Sequence, residues 1–300
     1  MAKFIPQGTF TAIVTPFCAD AERSVDLPAL RRLVEQQIAG GVDGLVVCGT
    51  TGEASTLDDA EYELVVGSTV QFAGGRVPVI AGTGSNSTKK TLATTHKACS
   101  LGVDGVLVVT PYYNKPTQAG MIAHFSQVAD HSSKPVVLYN VPGRTGVNLL
   151  PASVAELAKH RNIVALKEAA GSLEQVQEIV MRTAGTFPIL SGEDALCVPT
   201  YAVGGRGVIS VVSNVAPALT SALWNDFAAG RVAEAGRGQV RLLPLIKLLF
   251  SEPNPQPAKM AMHLLGIMEP VARLPLIDAT AATRDALAVE LARLGLPVHG

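Results

Sequence analysis

The sequence predicts an α/β protein, a (β/α)8 TIM barrel with a C-terminal helical extension, and three observations lead there. Short apolar β-type runs alternate with amphipathic helical segments at roughly 20- to 35-residue intervals, and such alternation requires parallel strands with right-handed crossovers. Polar and glycine-rich segments fall just after the β-type runs, where a barrel places its catalytic loops. The turns after the helices are plainer: Gly40-Gly41, Gly74-Gly75, Leu101-Gly102. The alternation stops at Gly230, and the remainder of the chain reads as helix. A doubly wound open sheet is the competing architecture for the same alternation.

In order, Thr9 to Val14 is a β-type run closed by Thr15-Pro16. Leu27 to Ala39 has helical apolar spacing (Leu30, Leu33, Val34, Ile38) and stops at Gly40-Gly41. Gly44 to Val47 is strand, followed by Cys48-Gly49-Thr50-Thr51-Gly52-Glu53. Asp58 is placed to N-cap a helix running to about Phe72. Val77–Ala81 and Val106–Val109 are strands, with a helix over Thr88–Ser100 between them. The first ends in Gly82-Thr83-Gly84-Ser85-Asn86 and the second in Thr110-Pro111-Tyr112-Tyr113-Asn114. Helix Thr117–His131 precedes strand Val136–Leu138 and the loop Tyr139 to Gly146. Helix Ala152–His160 leads to strand Ile163–Glu168, and helix Leu173–Thr183 to Ile189-Leu190 and Ser191-Gly192-Glu193-Asp194. A helix to Val203, strand Gly207–Ser210 and helix Pro217–Ala228 complete eight units. Residues 1–229 form the predicted barrel and 230–300 the extension, with helices over Val232–Phe250, Ala258–Leu265 and Ala281–Leu294.

Composition narrows the function. The chain has 300 residues, 48% of them apolar, enough for a large core. A formal net charge of −1 offers no basic field for nucleic acid. The segment Met1 to Pro6 lacks the apolar core of a signal peptide, and no apolar run is long enough to span a bilayer. Cys18, Cys48, Cys99 and Cys197 are scattered and the six histidines show no ligand spacing. Reduced thiols in a cytoplasmic protein without a metal site are expected.

Chemistry concentrates at the strand ends. In Ile163-Val164-Ala165-Leu166-Lys167-Glu168, period 2 puts Ile163, Ala165 and Lys167 on one face. A lysine ending a buried strand is poorly hydrated, and desolvation favours the free amine that attacks a carbonyl. The plainer reading is that Lys167 turns to solvent or pairs with Glu168. Gly49 to Glu53 combines close backbone approach, free N–H groups and threonine hydroxyls suited to a carboxylate, or forms an ordinary turn. Gly82-Thr83-Gly84 lacks the further residues of a nucleotide loop, so no nucleotide is assigned. Tyr112, Tyr113 and Tyr139 can move protons or simply pack. Arg144 fits a carboxylate, or fixes its loop by a salt bridge. Together these residues suit Schiff-base formation with a 2-keto acid. Lys167 is the amine, a tyrosine the acid/base, Thr50 and Thr51 the carboxylate holders, and Arg144 the site of a second anionic partner.

Five segments carry a resemblance: Gly49-Thr50-Thr51-Gly52-Glu53, Tyr112 to Pro116, Tyr139 to Gly146, Lys167-Glu168-Ala169 and Glu252-Pro253-Asn254-Pro255. In order and spacing the chain resembles the dihydrodipicolinate synthase family, within the pyruvate-dependent class I aldolase superfamily that includes N-acetylneuraminate lyase. The resemblance implies a lyase that condenses pyruvate with L-aspartate-4-semialdehyde in lysine and diaminopimelate biosynthesis, with no cofactor. It implies that Lys167 forms the imine, that Tyr139 is its acid/base, and that Thr51 relays protons to a Tyr113 supplied by a neighbouring subunit. Thr50 and Thr51 would bind the pyruvate carboxylate, Arg144 the semialdehyde, and Gly192 and Ile209 would line the pyruvate pocket. A homotetramer built as a dimer of dimers is implied. Gly143 departs from the usual serine or alanine. Where lysine-sensitive members often carry histidine and glutamate, this chain has Asp59 and Lys90. Lys90 would repel a lysine effector, so weak or absent feedback is expected. Two other readings differ in outcome: a related aldolase acting on a sialic acid or 2-keto-3-deoxy sugar acid, and a catalytically silent binding barrel.

Overall fold

A computed structural model describes residues 4–299, so the first three residues of the Met1–Pro6 segment and Gly300 lie outside it. Eight strands form a closed, all-parallel barrel in chain order. They are β1 (Gly8–Ala12), β2 (Gly44–Val47), β3 (Val79–Gly82), β4 (Gly105–Val109), β5 (Val136–Asn140), β6 (Ile163–Glu168), β7 (Ile189–Ser191) and β8 (Gly207–Ser210). Closure between β8 and β1 removes the open-sheet alternative. At that seam Gly8 pairs with Gly207. Gly207 sits at φ +150°, and a Cβ there would lie 2.1 Å from the Gly8 carbonyl oxygen. Only glycine fits so close a strand approach.

The helices are α1 (Leu27–Ala39), α2 (Asp59–Ala73), α3 (Thr88–Ser100), α4 (Gln118–His131), α5 (Pro142–Thr145), α6 (Pro151–Leu157), α7 (Leu173–Arg182), α8 (Cys197–Ala202), α9 (Pro217–Ala228), α10 (Val232–Leu249), α11 (Gln256–Leu264) and α12 (Ala281–Leu294). Side-chain caps start several of them. Asp26, Asp58, Ser87, Thr117 and Ser172 each accept a first-turn N–H, and Asp58 and Glu61 form a reciprocal capping box. Helix α11 begins two residues earlier than predicted because Pro257 falls in its first turn, where its missing N–H costs nothing.

Both strand faces are buried, which explains the continuous apolar runs. Phe10, Val46, Ile80, Leu107, Val137 and Leu190 fill the barrel interior. Leu45, Val108, Leu138 and Leu166 face outward into the layer shared with the helices.

Two local expectations need correction. Strand β6 is not a simple alternation. The register passes from Val136↔Ile163 to Val137↔Ala165, leaving Val164 as an extra residue. The irregularity turns Ile163 out into the helix layer while Val164 and Ala165 both pack inside. Ile163 therefore does not share a face with Lys167, although Ala165 does by alternation. Strand β5 also runs two residues further than predicted, so Tyr139 and Asn140 belong to the strand and not to its loop. Tyr139 then pairs with Lys167, and Asn140 with Glu168.

Candidate active site

Lys167 is buried, at 6% exposure, so the reading that it turns to solvent fails. Its Nζ stands 4.3 Å from the centroid of the Tyr139 ring. The adjacent pair on the outer face is bound differently. Glu168 accepts from Asn140 Nδ2, which reaches both of its oxygens at 3.1 Å, from Ala170 N–H at 2.7 Å and from Gln175 Nε2 at 3.1 Å. Burial raises the Glu168 carboxyl above the usual range, against the pull of these donors. Glu168 thus ties β6 to β5 from behind and is not the partner of Lys167.

A cavity of about 520 Å³ opens over the strand ends, bounded by Thr50, Tyr112, Tyr139 and Arg144, and continues to Asp59 and Lys97. Tyr139 is common to the cavity wall and to Lys167. Gly192, after β7, lets the lysine side chain pass: a Cβ there would sit 3.2 Å from Lys167 Cε and 2.7 Å from Ala169 Cβ. Ile209 is buried with Tyr139, Ala165 and Leu190 in the interior cluster.

The turn after β2 is folded on itself. Gly52 N–H donates to Gly49 O and Glu53 N–H to Thr50 O, both at 3.1 Å. The Thr50 and Thr51 N–H groups close no backbone bond among the described residues, which suits an anion. Thr50 is exposed; Thr51 is buried, and its Oγ1 accepts from Asn254 Nδ2 at 2.9 Å. Arg144 lies exposed on α5, and among the described residues its guanidinium makes no ion pair. The loop-fixing alternative for Arg144 is therefore not what is found.

Carboxylates gather on the β7 side. Asp194 is buried, accepting Ser210 Oγ–H at 2.5 Å and Val211 N–H at 2.9 Å. Burial still leaves its carboxyl raised. Glu193 is raised by burial and by Asp194, while the charges of Lys167 and Arg144 pull it back. Lys167 thus acts on both carboxyls of this side, and Arg144 on Glu193.

Tyr113 stands apart. It is 87% exposed, at φ +73°, on the loop after β4. Within one chain it does not join Thr51 and Tyr139.

Residues not singled out from sequence complete the site. Buried Lys259 of α11 forms an ion pair with buried Glu53, donates to Val271 O at 2.8 Å, and lies 4.0 Å over the Phe17 ring. Arg273 N–H donates to Glu53 Oε2 at 3.0 Å. The Arg273 guanidinium grips Glu61 and Thr56 O and stacks 4.2 Å from the Phe17 ring centroid. The C-terminal extension thereby fixes the Thr50–Glu53 turn. Gln239 of α10 likewise donates to Asp194 O at 2.9 Å. The only sequence signal among these was Asn254, which lies in the Glu252–Pro255 segment but had no role there.

The sequence profile of the Dihydrodipicolinate synthetase family matches residues 5–294. The chain belongs to this family. A 4-hydroxy-tetrahydrodipicolinate synthase of Geotalea daltonii is 50% identical over 94% of this chain and 96% of its own length. The crystal structure of dihydrodipicolinate synthase from Thermotoga maritima superposes with a TM-score of 0.95 at 42% identity, covering 98% of this chain and 100% of that one. A monomeric dihydrodipicolinate synthase variant superposes at 0.94 with 43% identity, covering 97% of both chains. These solved structures share the fold of this chain over nearly its whole length.

Proposed function

We propose that the chain condenses pyruvate with L-aspartate-4-semialdehyde to give 4-hydroxy-tetrahydrodipicolinate, in lysine and diaminopimelate biosynthesis. The observation that carries the reading is the buried Lys167 beside the ring of Tyr139, a residue that lines a cavity with Thr50 and Arg144. In this reading the Lys167 amine attacks C2 of pyruvate and water leaves, giving an iminium. Loss of a C3 proton makes the enamine, whose carbon bonds to the aldehyde carbon. The substrate amine then attacks C2 and releases Lys167, closing the ring. Tyr139 carries the protons, with Thr51 as relay. Thr50 and Thr51 N–H groups that close no backbone bond among the described residues support their binding of the pyruvate carboxylate, and the exposed Arg144, in no ion pair among the described residues, supports its binding of the semialdehyde. Gly192 and Ile209 shape the pyruvate pocket. We assign the catalytic barrel to residues 1–229 and the bracing extension to 230–300.

The exposed Tyr113 in a left-handed backbone supports its use in trans, and so a homo-oligomer, which we take to be a tetramer. A cytoplasmic location is supported by four free cysteines. Among the described residues no helix is long and apolar enough to cross a membrane. The test is a coupled assay with pyruvate and L-aspartate-4-semialdehyde. Turnover should vanish in Lys167→Ala and fall sharply in Arg144→Ala. No turnover in wild type, with pyruvate still trapped on Lys167 by borohydride, would keep the imine chemistry and reject this aldehyde. Sedimentation of the wild type as a monomer at assay concentration would reject the tetramer and a Tyr113 supplied in trans.

A further inference from the structure

The turn after β2 carries backbone strain at both ends. Cys48 stands at φ +53° and Glu53 at φ +50°, in the left-handed region that favours glycine. Such conformations persist only where the surroundings over-determine them. Between the two, Thr50 lines the cavity with Tyr139 and Arg144, and the Thr50 and Thr51 N–H groups close no backbone bond among the described residues. At the Cys48 end the restraint is close packing. A Cβ on Gly82 would lie 2.2 Å from Cys48 O, and one on Gly52 would lie 3.1 Å from Cys48 N. At the Glu53 end the restraint is a charge contact from far along the chain. The buried Glu53 carboxylate is ion-paired with buried Lys259 and accepts Arg273 N–H at 3.0 Å. Lys259 is held in turn by donating to Val271 O at 2.8 Å. A buried carboxylate leaves its cation only at high cost, so the pair fixes where residue 53 can sit.

We propose that Glu53 and Lys259 are positioning residues for pyruvate. Their buried pair holds residue 53 in its left-handed backbone and so keeps the Thr50 and Thr51 N–H groups aimed at the substrate carboxylate. This inference rests on the carboxylate-binding role given to that turn above. It gives the C-terminal extension a part in substrate affinity and not only in the fold.

The test uses Glu53→Gln/Lys259→Met, which strands no charge but leaves side chain 53 with only Arg273 N–H of its present partners. Residue 53 is then free to relax toward the right-handed region. Three measurements are needed: steady-state kinetics, the pyruvate dependence of borohydride trapping, and the urea midpoint. A carboxylate grip is shared by ground and transition states, so KM for pyruvate and the half-saturating pyruvate for trapping should both rise about tenfold, with kcat within about threefold of wild type. The urea midpoint should stay near that of wild type, which separates lost affinity from lost fold. Glu53→Asp keeps the charge, but its shorter side chain reaches Lys259 only by displacing residue 53, so KM for pyruvate should rise there too. A wild-type KM for pyruvate in the double variant would overturn the proposal, as would a loss confined to kcat. If the double variant does not fold, Glu53→Asp decides, and a wild-type KM in it overturns the proposal. Absence of trapped pyruvate on Lys167 in the wild type would instead reject the imine reading itself, and this proposal with it.

Discussion

Removing the Glu53 charge while leaving Lys259 in place should destabilise the protein more than removing both. Lys259 is fully buried, and burial lowers its ammonium to about 8 despite the attraction of Glu53, with Arg273 opposing and Asp278 assisting the charge. Against the ordinary lysine value of about 10.4, that lowering corresponds to roughly 3 kcal/mol by which the site disfavours the cation, pair included. Glu53→Gln keeps an acceptor for Arg273 N–H but strands the ammonium, a change that typically costs about 3–5 kcal/mol. Glu53→Gln with Lys259→Met removes both charges and should recover most of that loss. The pH dependence has a definite sign. A lysine lowered in the fold stays protonated in the unfolded chain, so the unfolded state binds more protons above pH 8 and stability rises with pH there. Without Glu53 the folded value drops further and the rise begins at lower pH. The gap between Glu53→Gln and wild type should therefore be widest in acid and narrow as pH approaches 8. Urea denaturation midpoints from pH 6 to 9 measure it. A loss below about 1 kcal/mol in Glu53→Gln, or a double variant as unstable as the summed singles, would show that no charge is stranded.

Other outcomes derive from the same geometry. Tyr139→Phe removes the phenol but keeps the ring beside Lys167, so kcat should fall about 100- to 10,000-fold while borohydride still traps pyruvate. Gly192→Ala should slow imine trapping at nearly unchanged secondary structure by circular dichroism, because its Cβ would meet Ala169 Cβ at 2.7 Å and push on Lys167 Cε. Free lysine should leave the rate nearly unchanged at sub-millimolar concentration. Asp59 is already paired with Lys97 at 3.1 Å, and Lys90 adds a repelling charge. A lysine titration with strong inhibition in that range would contradict this.

The parts of the fold visible in sequence are those set by local period. Strand Gly44–Val47, helices Leu27–Ala39 and Ala281–Leu294, and the strand ending in Lys167-Glu168 all keep their predicted bounds. Their apolar spacing, caps and glycine stops act within a few residues. The extension of β5 through Tyr139-Asn140 was hidden because polar residues at a strand end look like loop until their partners are known. Here the partners are Lys167 and Glu168 on the next strand. The extra residue at Val164 was hidden for a similar reason, since a bulge is a property of two strands and not of one. Short α5 carries too few residues to show a helical period. The hold of Asn254, Lys259 and Arg273 on the Thr50–Glu53 turn spans more than 200 residues, and no local pattern encodes a partner at that distance. Lysine, tyrosine and threonine at strand ends stood out in sequence because a barrel has few structural reasons to gather them there; the structure brings Lys167 and Tyr139 together and leaves Tyr113 exposed and apart.

The most direct measurement is borohydride reduction of the enzyme in the presence of pyruvate, followed by peptide mass analysis. One reduced pyruvyl group on the peptide carrying Lys167, absent from Lys167→Ala and from samples without pyruvate, is the expected result. Labelling of any other lysine, or full turnover with no adduct, would contradict imine catalysis by Lys167.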